Sequence, residues 1–326
     1  MFDRFVALLE QLDWQDSSLL RVLTYHRVDE PNARPALAPQ LAITPAIFDQ
    51  QMCHLAAYYH VLSIREVLEV CNNGGAVPKR AVLVTFDDAY CDFAEHAWPI
   101  LQRYHIPVTL FVPTAFPGAP ERTFWWDRLF QALHFTSHDE LITPVGCLPL
   151  EHLSQRARAY RRLREYVKSL PHQEAIAWVE QVCQALDTPP PQASVMGWDM
   201  LRQLADEGVV LGAHTRTHPL INRVSAEEAR AEIVGSLRDL EREIGETLPI
   251  FAYPSGGFDD GVVQLLACEG LELAFTTTRG VNDLRMADRL RLRRINVGQR
   301  TTLSLLRPQL TPWTVHLNPW YSLSNA

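Results

Sequence analysis

Eight short apolar runs, separated by stretches with helical periodicity, are the feature that most restricts how this chain can fold. They are Val22–His26, His60–Ile64, Ala81–Phe86, Val108–Val112, Val209–Ala213, Ile250–Tyr253, Leu273–Thr277 and Leu292–Val297. Several are continuously apolar, as parallel strands buried on both faces should be. The intervening stretches carry helix start and stop signals. Thr44 precedes Pro45 as an N-cap, and Phe48, Met52, Leu55 and Tyr59 form the apolar stripe that follows. Ser63 with Glu66 and Ser225 with Glu228 fit the capping box. Gly74, Gly208 and Gly270 stand where left-handed C-caps are expected. Repeated βα units of this kind predict a parallel sheet or barrel.

The alternation stops between Pro117 and Val195. This stretch opens on an aromatic cluster (Phe124, Trp125, Trp126, Phe130) and continues into a basic helical run with Arg156, Arg158, Arg161, Arg162, Arg164 and Lys168. It ends in Thr188-Pro-Pro-Pro191. It reads as an inserted helical subdomain with a stiff exit linker. The expected organisation is therefore an N-terminal helix at 1–21, a barrel from 22–116 and 196–300, an insertion at 117–195 and a C-terminal extension at 301–326. Trp178 and Trp198 sit at helical spacing among apolar residues and are expected in the core.

Composition closes off several function classes. A formal charge of −8 argues against a nucleic-acid surface. No apolar run approaches the roughly 18 residues that cross a bilayer. The start, MFDRFVALLEQLDWQD, lacks the cationic region and small-residue cleavage site of a signal peptide. The six cysteines show no C-x-x-C spacing and read as reduced thiols. A cytoplasmic protein is the expectation.

Two motifs carry chemistry: Thr85-Phe-Asp-Asp-Ala-Tyr90 and Gly212-Ala-His-Thr-Arg-Thr-His218. Each falls at the carboxyl end of a predicted buried strand, where βα loops build active sites. Two imidazoles and a carboxylate form a three-ligand catalytic metal shell with a position left for water. The H-x-x-x-H spacing is that of one helical turn, which would aim both rings at one point. A second carboxylate beside the first can act as a base. The plainer readings are a pair of loop histidines, and a helix N-cap for the aspartates opening a helix at Cys91–Tyr104.

With Phe251-Ala-Tyr-Pro-Ser-Gly256 added, the three motifs resemble, in order, those of the polysaccharide deacetylases. The resemblance runs from about Val22 to Val297, outside the insertion. It implies a distorted (β/α) barrel of about seven parallel strands, and a hydrolase that removes N-acetyl groups from a polysaccharide or lipid-linked glycan. It implies a divalent metal, zinc first, with cobalt, nickel or iron compatible, held by Asp88, His214 and His218. It assigns Asp87 as general base and the Tyr253 backbone N–H as oxyanion donor. The motif neighbours Tyr25, Phe86, Tyr90 and Pro254 are expected against the substrate.

The chain departs from the family pattern in three places. Ala89 replaces the usual glycine after the paired aspartates. The late leucine-histidine motif that supplies the general acid is missing, with only His316 downstream. Leu23-Thr-Tyr-His-Arg-Val28 resembles instead the Tyr-His strand of exopolysaccharide deacetylases, making His26 the expected acid; a buried structural histidine is the plainer reading. The arginine that orients the base is replaced by Phe251-Ala252, and Arg294, or Arg293, is the candidate to reach it from elsewhere.

An N-acetylated glycan is thus the expected partner, with no nucleic acid and no obligate protein partner. Trp125, Trp126 and the basic run would suit a lipid-linked or phosphorylated glycan at the inner face of a membrane. A helical cap with its own small core and solvated arginines is the reading that charge runs generally favour. Rival functions are hydrolysis of another non-peptide amide and a non-catalytic carbohydrate-binding protein.

Overall fold

The computed structural model describes residues 18–30, 33–119, 121–189, 191 and 194–311. Residues 1–17 of the expected N-terminal helix, and His316, lie outside the described residues. The first strand begins at Leu19, so residues 19–21 are strand and not helix.

Seven strands close into a barrel: β1 (Leu19–Tyr25), β2 (Ala81–Asp87), β3 (Val108–Val112), β4 (Val210–Ala213), β5 (Ile250–Ala252), β6 (Leu273–Arg279) and β7 (Leu292–Asn296). Each pairs in parallel with the next, and β7 pairs with β1 to complete the ring. The expected strand at His60–Ile64 forms only over His60–Leu62 and stays outside the ring. It pairs with the first half of β2, along the edge whose second half belongs to β3. Helices flank the barrel: α1 (Pro45–Tyr58), α2 (Ile64–Asn73), α3 (Trp98–Arg103), α4 (Trp125–Phe135), α5 (Leu153–Ser169), α6 (His172–Ala185), α7 (Trp198–Asp206), α8 (Ala226–Ile244), α9 (Asp260–Cys268) and α10 (Leu303–Gln309).

The start signals act as the sequence indicates. Thr44 caps α1 by accepting from the Ile47 N–H, and both capping boxes form at α2 and α8. The helix expected at Cys91–Tyr104 forms over 91–103, with a π-helical stretch, Phe93–Ala97, leading into α3.

Side chains along each strand alternate between two cores, because successive Cβ atoms point to opposite faces. Leu20, Val22, Leu83, Phe111, Phe275 and Leu292 form one cluster. Phe111 and Phe275 stand on non-adjacent strands, yet their rings are 5.5 Å apart, so this cluster fills the barrel. Leu23, Tyr25, Val84, Phe86 and Tyr253 belong to the other, under the surrounding helices. Gly212 gives Phe111 its room: a Cβ there would come within 2.6 Å of the ring.

The segment between β3 and α7 holds α4, α5 and α6 around a separate core. It also contains an antiparallel hairpin, Glu140–Thr143 with Gly146–Pro149, which the expectation of helices alone omits. Trp178 packs against this core and Trp198 against the main one. The segment's exit is sewn to the paired-aspartate turn, with the Cys91 N–H donating to Ser194 O at 2.8 Å and the Met196 N–H to Ala89 O at 3.0 Å.

Candidate active site

The strand parity that builds the barrel also sorts the chemical residues. Asp87 ends β2 on the inward face, and Asp88 follows it in a left-handed turn with φ 73°, continued by Ala89 at φ 53°. Left-handed backbone costs a non-glycine residue roughly 1–2 kcal/mol. Two such residues in succession, the second at the position where the resemblance expects glycine, are strain held in place by the surrounding structure.

His214 follows β4 directly. Its Nδ1–H donates to Ala252 O at 2.7 Å, which turns Nε2 toward Asp88. The His214 and His218 Nε2 atoms lie 3.5 Å and 3.3 Å from Asp88 Oδ1. One candidate ligand atom from each residue lies within 4.8 Å of the others, and all three residues are buried. The histidines do not share a helical turn, contrary to the expectation from their spacing. Thr215 and His218 both take left-handed φ (61° and 59°), and the Thr215 hydroxyl accepts the His218 N–H at 3.0 Å. Glu232 of α8 fastens the loop, accepting from the N–H groups of Arg216 (2.7 Å) and Thr217 (2.8 Å) and from the Thr217 hydroxyl (2.6 Å).

Asp87 faces a different partner. Arg294, fully buried on β7, grips it with two parallel hydrogen bonds of 2.8 Å and 2.7 Å, while Arg294 Nε donates to Thr276 O. Burial raises the Asp87 pKa, but the Arg294 charge and the nearby imidazoles outweigh it and hold the carboxyl below its ordinary value. Burial likewise raises Asp88, and the imidazoles of His214 and His218 facing it hold it far below the usual carboxylate range. For His214, burial lowers the pKa and the Asp87 and Asp88 charges raise it above its ordinary value. His26, just past β1, lines the same cleft of about 500 Å³ as Asp87, Asp88, His214 and His218. Burial pushes its imidazole down, against the pull of Asp88 and Asp87.

Several expected contacts are corrected. Tyr25 and Phe86 are fully buried and stack on each other at 5.2 Å under α1, because their parity turns them outward from the barrel. Tyr90 is a buried brace: its hydroxyl donates to Asp127 at 2.6 Å and accepts from Trp126 Nε1 at 2.9 Å. Pro254 is buried at the start of the Pro254–Gly256 turn. The Tyr253 N–H, expected as oxyanion donor, is engaged by Phe275 O at 3.0 Å, and its ring is fully buried. Ser255 is exposed on the cleft, in a strained φ of 50°, and its N–H has no acceptor among the described residues. Nothing in the sequence marks Ser255 or Glu232, since a free N–H and a loop staple depend on backbone geometry.

The insertion is more than a self-contained cap. Phe124 and Trp126 do stack into its core, but Trp126 also meets the His218 ring edge-on at 4.9 Å. The basic run divides by face. Arg156 donates to Leu150 O and His134 O, Arg162 to Val145 O, and Arg158 and Arg161 are exposed. Arg164 and Lys168 line the cleft.

Solved structures with this architecture include a Streptococcus pyogenes deacetylase, PplD, in complex with acetate (TM-score 0.62, 21% identity, covering 90% of this chain and 99% of that one). IcaB from Ammonifex degensii is another (TM-score 0.59, 20% identity, 91% and 97% covered). Among curated proteins, the poly-β-1,6-N-acetyl-D-glucosamine N-deacetylase of Staphylococcus aureus is 29% identical over 119 residues, 33% of this chain. The Staphylococcus epidermidis protein of the same name is 29% identical over 120 residues, 34% of this chain. The chain spans about 40% of the length of these relatives. No helix among the described residues is long and apolar enough to cross a membrane. The profile described as "Polysaccharide deacetylase" matches residues 74–274, most of the barrel and both aspartate and histidine motifs, and the chain belongs to that family.

Proposed function

We propose that this protein is a divalent-metal-dependent deacetylase that releases acetate from an N-acetylated glycan of the exopolysaccharide type. The observation that carries the reading is the convergence of Asp88, His214 and His218 beside an arginine-clamped Asp87. Asp88 Oδ1 is buried without a hydrogen-bond donor, an expensive arrangement unless a cation completes it. One carboxylate and two imidazoles suit zinc. A divalent cation there supplies Lewis acidity, making water acidic enough to lose a proton near neutral pH and polarising an amide carbonyl.

The chain's own groups do the rest. Asp87, kept ionised and aimed by Arg294, takes the proton from the attacking water. The Ser255 N–H donates to the oxyanion of the tetrahedral intermediate, a role that a free, preorganised donor fills without reorganisation. His26 gives a proton to the leaving amine, and its lowered pKa makes the imidazolium a stronger acid. The Nδ1–H bond from His214 to Ala252 O fixes the ligand tautomer.

Acetate release from β-1,6-linked N-acetylglucosamine oligomers, measured with and without added zinc, tests the reading; a zinc-loaded protein that releases none would end it. His214→Ala and Asp88→Ala are each expected to abolish stoichiometric zinc binding in a titration, together with activity. Glu232→Ala is expected to weaken zinc about 10- to 100-fold, because loss of the staple frees the loop between the two histidines. Unchanged affinity would reduce Glu232 to a surface contact.

A further inference from the structure

The proposed deacetylase chemistry uses the barrel side of the cleft and leaves the insertion side unexplained. There, Tyr160, Arg164 and Lys168 recur at every fourth position of α5 and line the same cavity as Asp88 and His218. Arg164 lies over the Tyr160 ring, 5.6 Å from its centroid. Lys168 is half-buried and also borders an adjoining hollow with Trp125, His172 and Arg223.

Neither cation has a carboxylate within ion-pair distance among the described residues. Two buried arginines do: Arg27 is held by Asp29 and Asp92, and Arg294 by Asp87. Acids are not scarce, with 38 Asp and Glu against 30 Lys and Arg. Like charges one turn apart weaken a helix, and withdrawing an ammonium from water without a counterion adds to that cost. Burial, with the Arg164 charge behind it, holds the Lys168 pKa below its ordinary value. A planar guanidinium fork and a compact ammonium side by side match a tetrahedral oxyanion.

Resting on the glycan reading above, we infer that Arg164 and Lys168 form a second subsite, which binds a phosphate group carried by the N-acetylated glycan. The phosphate is either a terminal monoester or a diester joining the sugar to a further group, and both present the same oxygens to this pair. Trp125, between the two hollows, offers an aromatic surface to the sugar.

The test is equilibrium binding to the full chain, followed by ligand-observed NMR with and without zinc. The probes are N-acetylglucosamine, N-acetylglucosamine 1-phosphate, its decyl phosphodiester, and N-acetylmuramate as the carboxylate control. The phosphorylated sugars are expected to bind at least about tenfold tighter than N-acetylglucosamine in the absence of zinc, roughly 1.4 kcal/mol. Preference for the monoester alone assigns a terminal phosphate, and preference for both assigns a linkage. Arg164→Gln with Lys168→Gln should bring the ratio near one at an unchanged thermal midpoint, while Lys168→Arg should preserve it. The inference falls if charged and neutral sugars bind alike, or if the preference appears only with zinc. It also falls if the preference survives the double substitution, or if N-acetylmuramate binds as tightly as the phosphates. Because no acetate release is measured, these outcomes are independent of the deacetylase reading.

Discussion

Asp87→Asn is expected to lower acetate release by about 10² to 10⁴-fold, the usual worth of a general base, while zinc stoichiometry stays at the wild-type value. The reason lies in the division of labour between adjacent carboxylates. Asp88 turns toward the two histidines through a left-handed backbone step, while Asp87 stays on the inward face of β2, held by Arg294. Asparagine keeps the size of the side chain and one acceptor oxygen for Arg294, but it cannot take a proton from water. Measured by acetate assay and metal analysis on the same preparation, wild-type turnover would transfer the base role to another group. Loss of zinc would place Asp87 among the ligands.

Arg294→Met is expected to destabilise the fold by about 3–5 kcal/mol, the penalty for stranding one partner of a buried ion pair. Against a typical total stability of roughly 5–15 kcal/mol, that is enough to unfold much of a marginal protein. Urea denaturation of metal-free protein measures it. The pH dependence separates stranded charge from lost packing. In the wild type, the Asp87 pKa is depressed, so its contribution is present above the unfolded carboxylate pKa and fades as pH falls through the folded value. Without Arg294, burial dominates and raises the Asp87 pKa above its unfolded value. Its contribution then runs the other way, present at low pH and lost as pH rises. The gap between variant and wild type should therefore narrow on acidification from pH 7 toward about 4. Adding Asp87→Asn to Arg294→Met should recover most of the loss, since the pair is coupled. A gap constant with pH, unrelieved by the second substitution, would mean that Arg294 contributes through packing alone.

The barrel was largely legible in the sequence because each strand is fixed by local patterning. Buried parallel strands need continuous apolar runs, and their helices need caps, so Ala81–Phe86 or Ser63 with Glu66 declare themselves within a few residues. The run at His60–Ile64 misled for the same reason. Its composition is that of a barrel strand, but β3 occupies the edge of β2 that it would need to enter the ring. At the site, Asp87, Asp88, His214 and His218 stood out because chemistry constrains residue type and strand ends constrain position. Tyr25 and Phe86 were misjudged because adjacency in a motif does not specify which face of a strand a side chain takes, and Tyr253 because pairing with β6 engages its N–H with Phe275 O.

What the sequence determined by itself is the set of elements and the chemical groups at their ends, since both follow from short-range periodicity and residue identity. The tertiary structure alone decided which groups meet. Arg294 reaches Asp87 across 207 positions of chain only because β7 and β2 flank the same strand, β1, with the same inward parity. Glu232, Ser255 and the Arg164–Lys168 pair owe their places to loop conformation and to the packing of the insertion over the barrel mouth. Those are relations between distant segments, and no local pattern records them, because closure of the ring is what brings them within reach of one another.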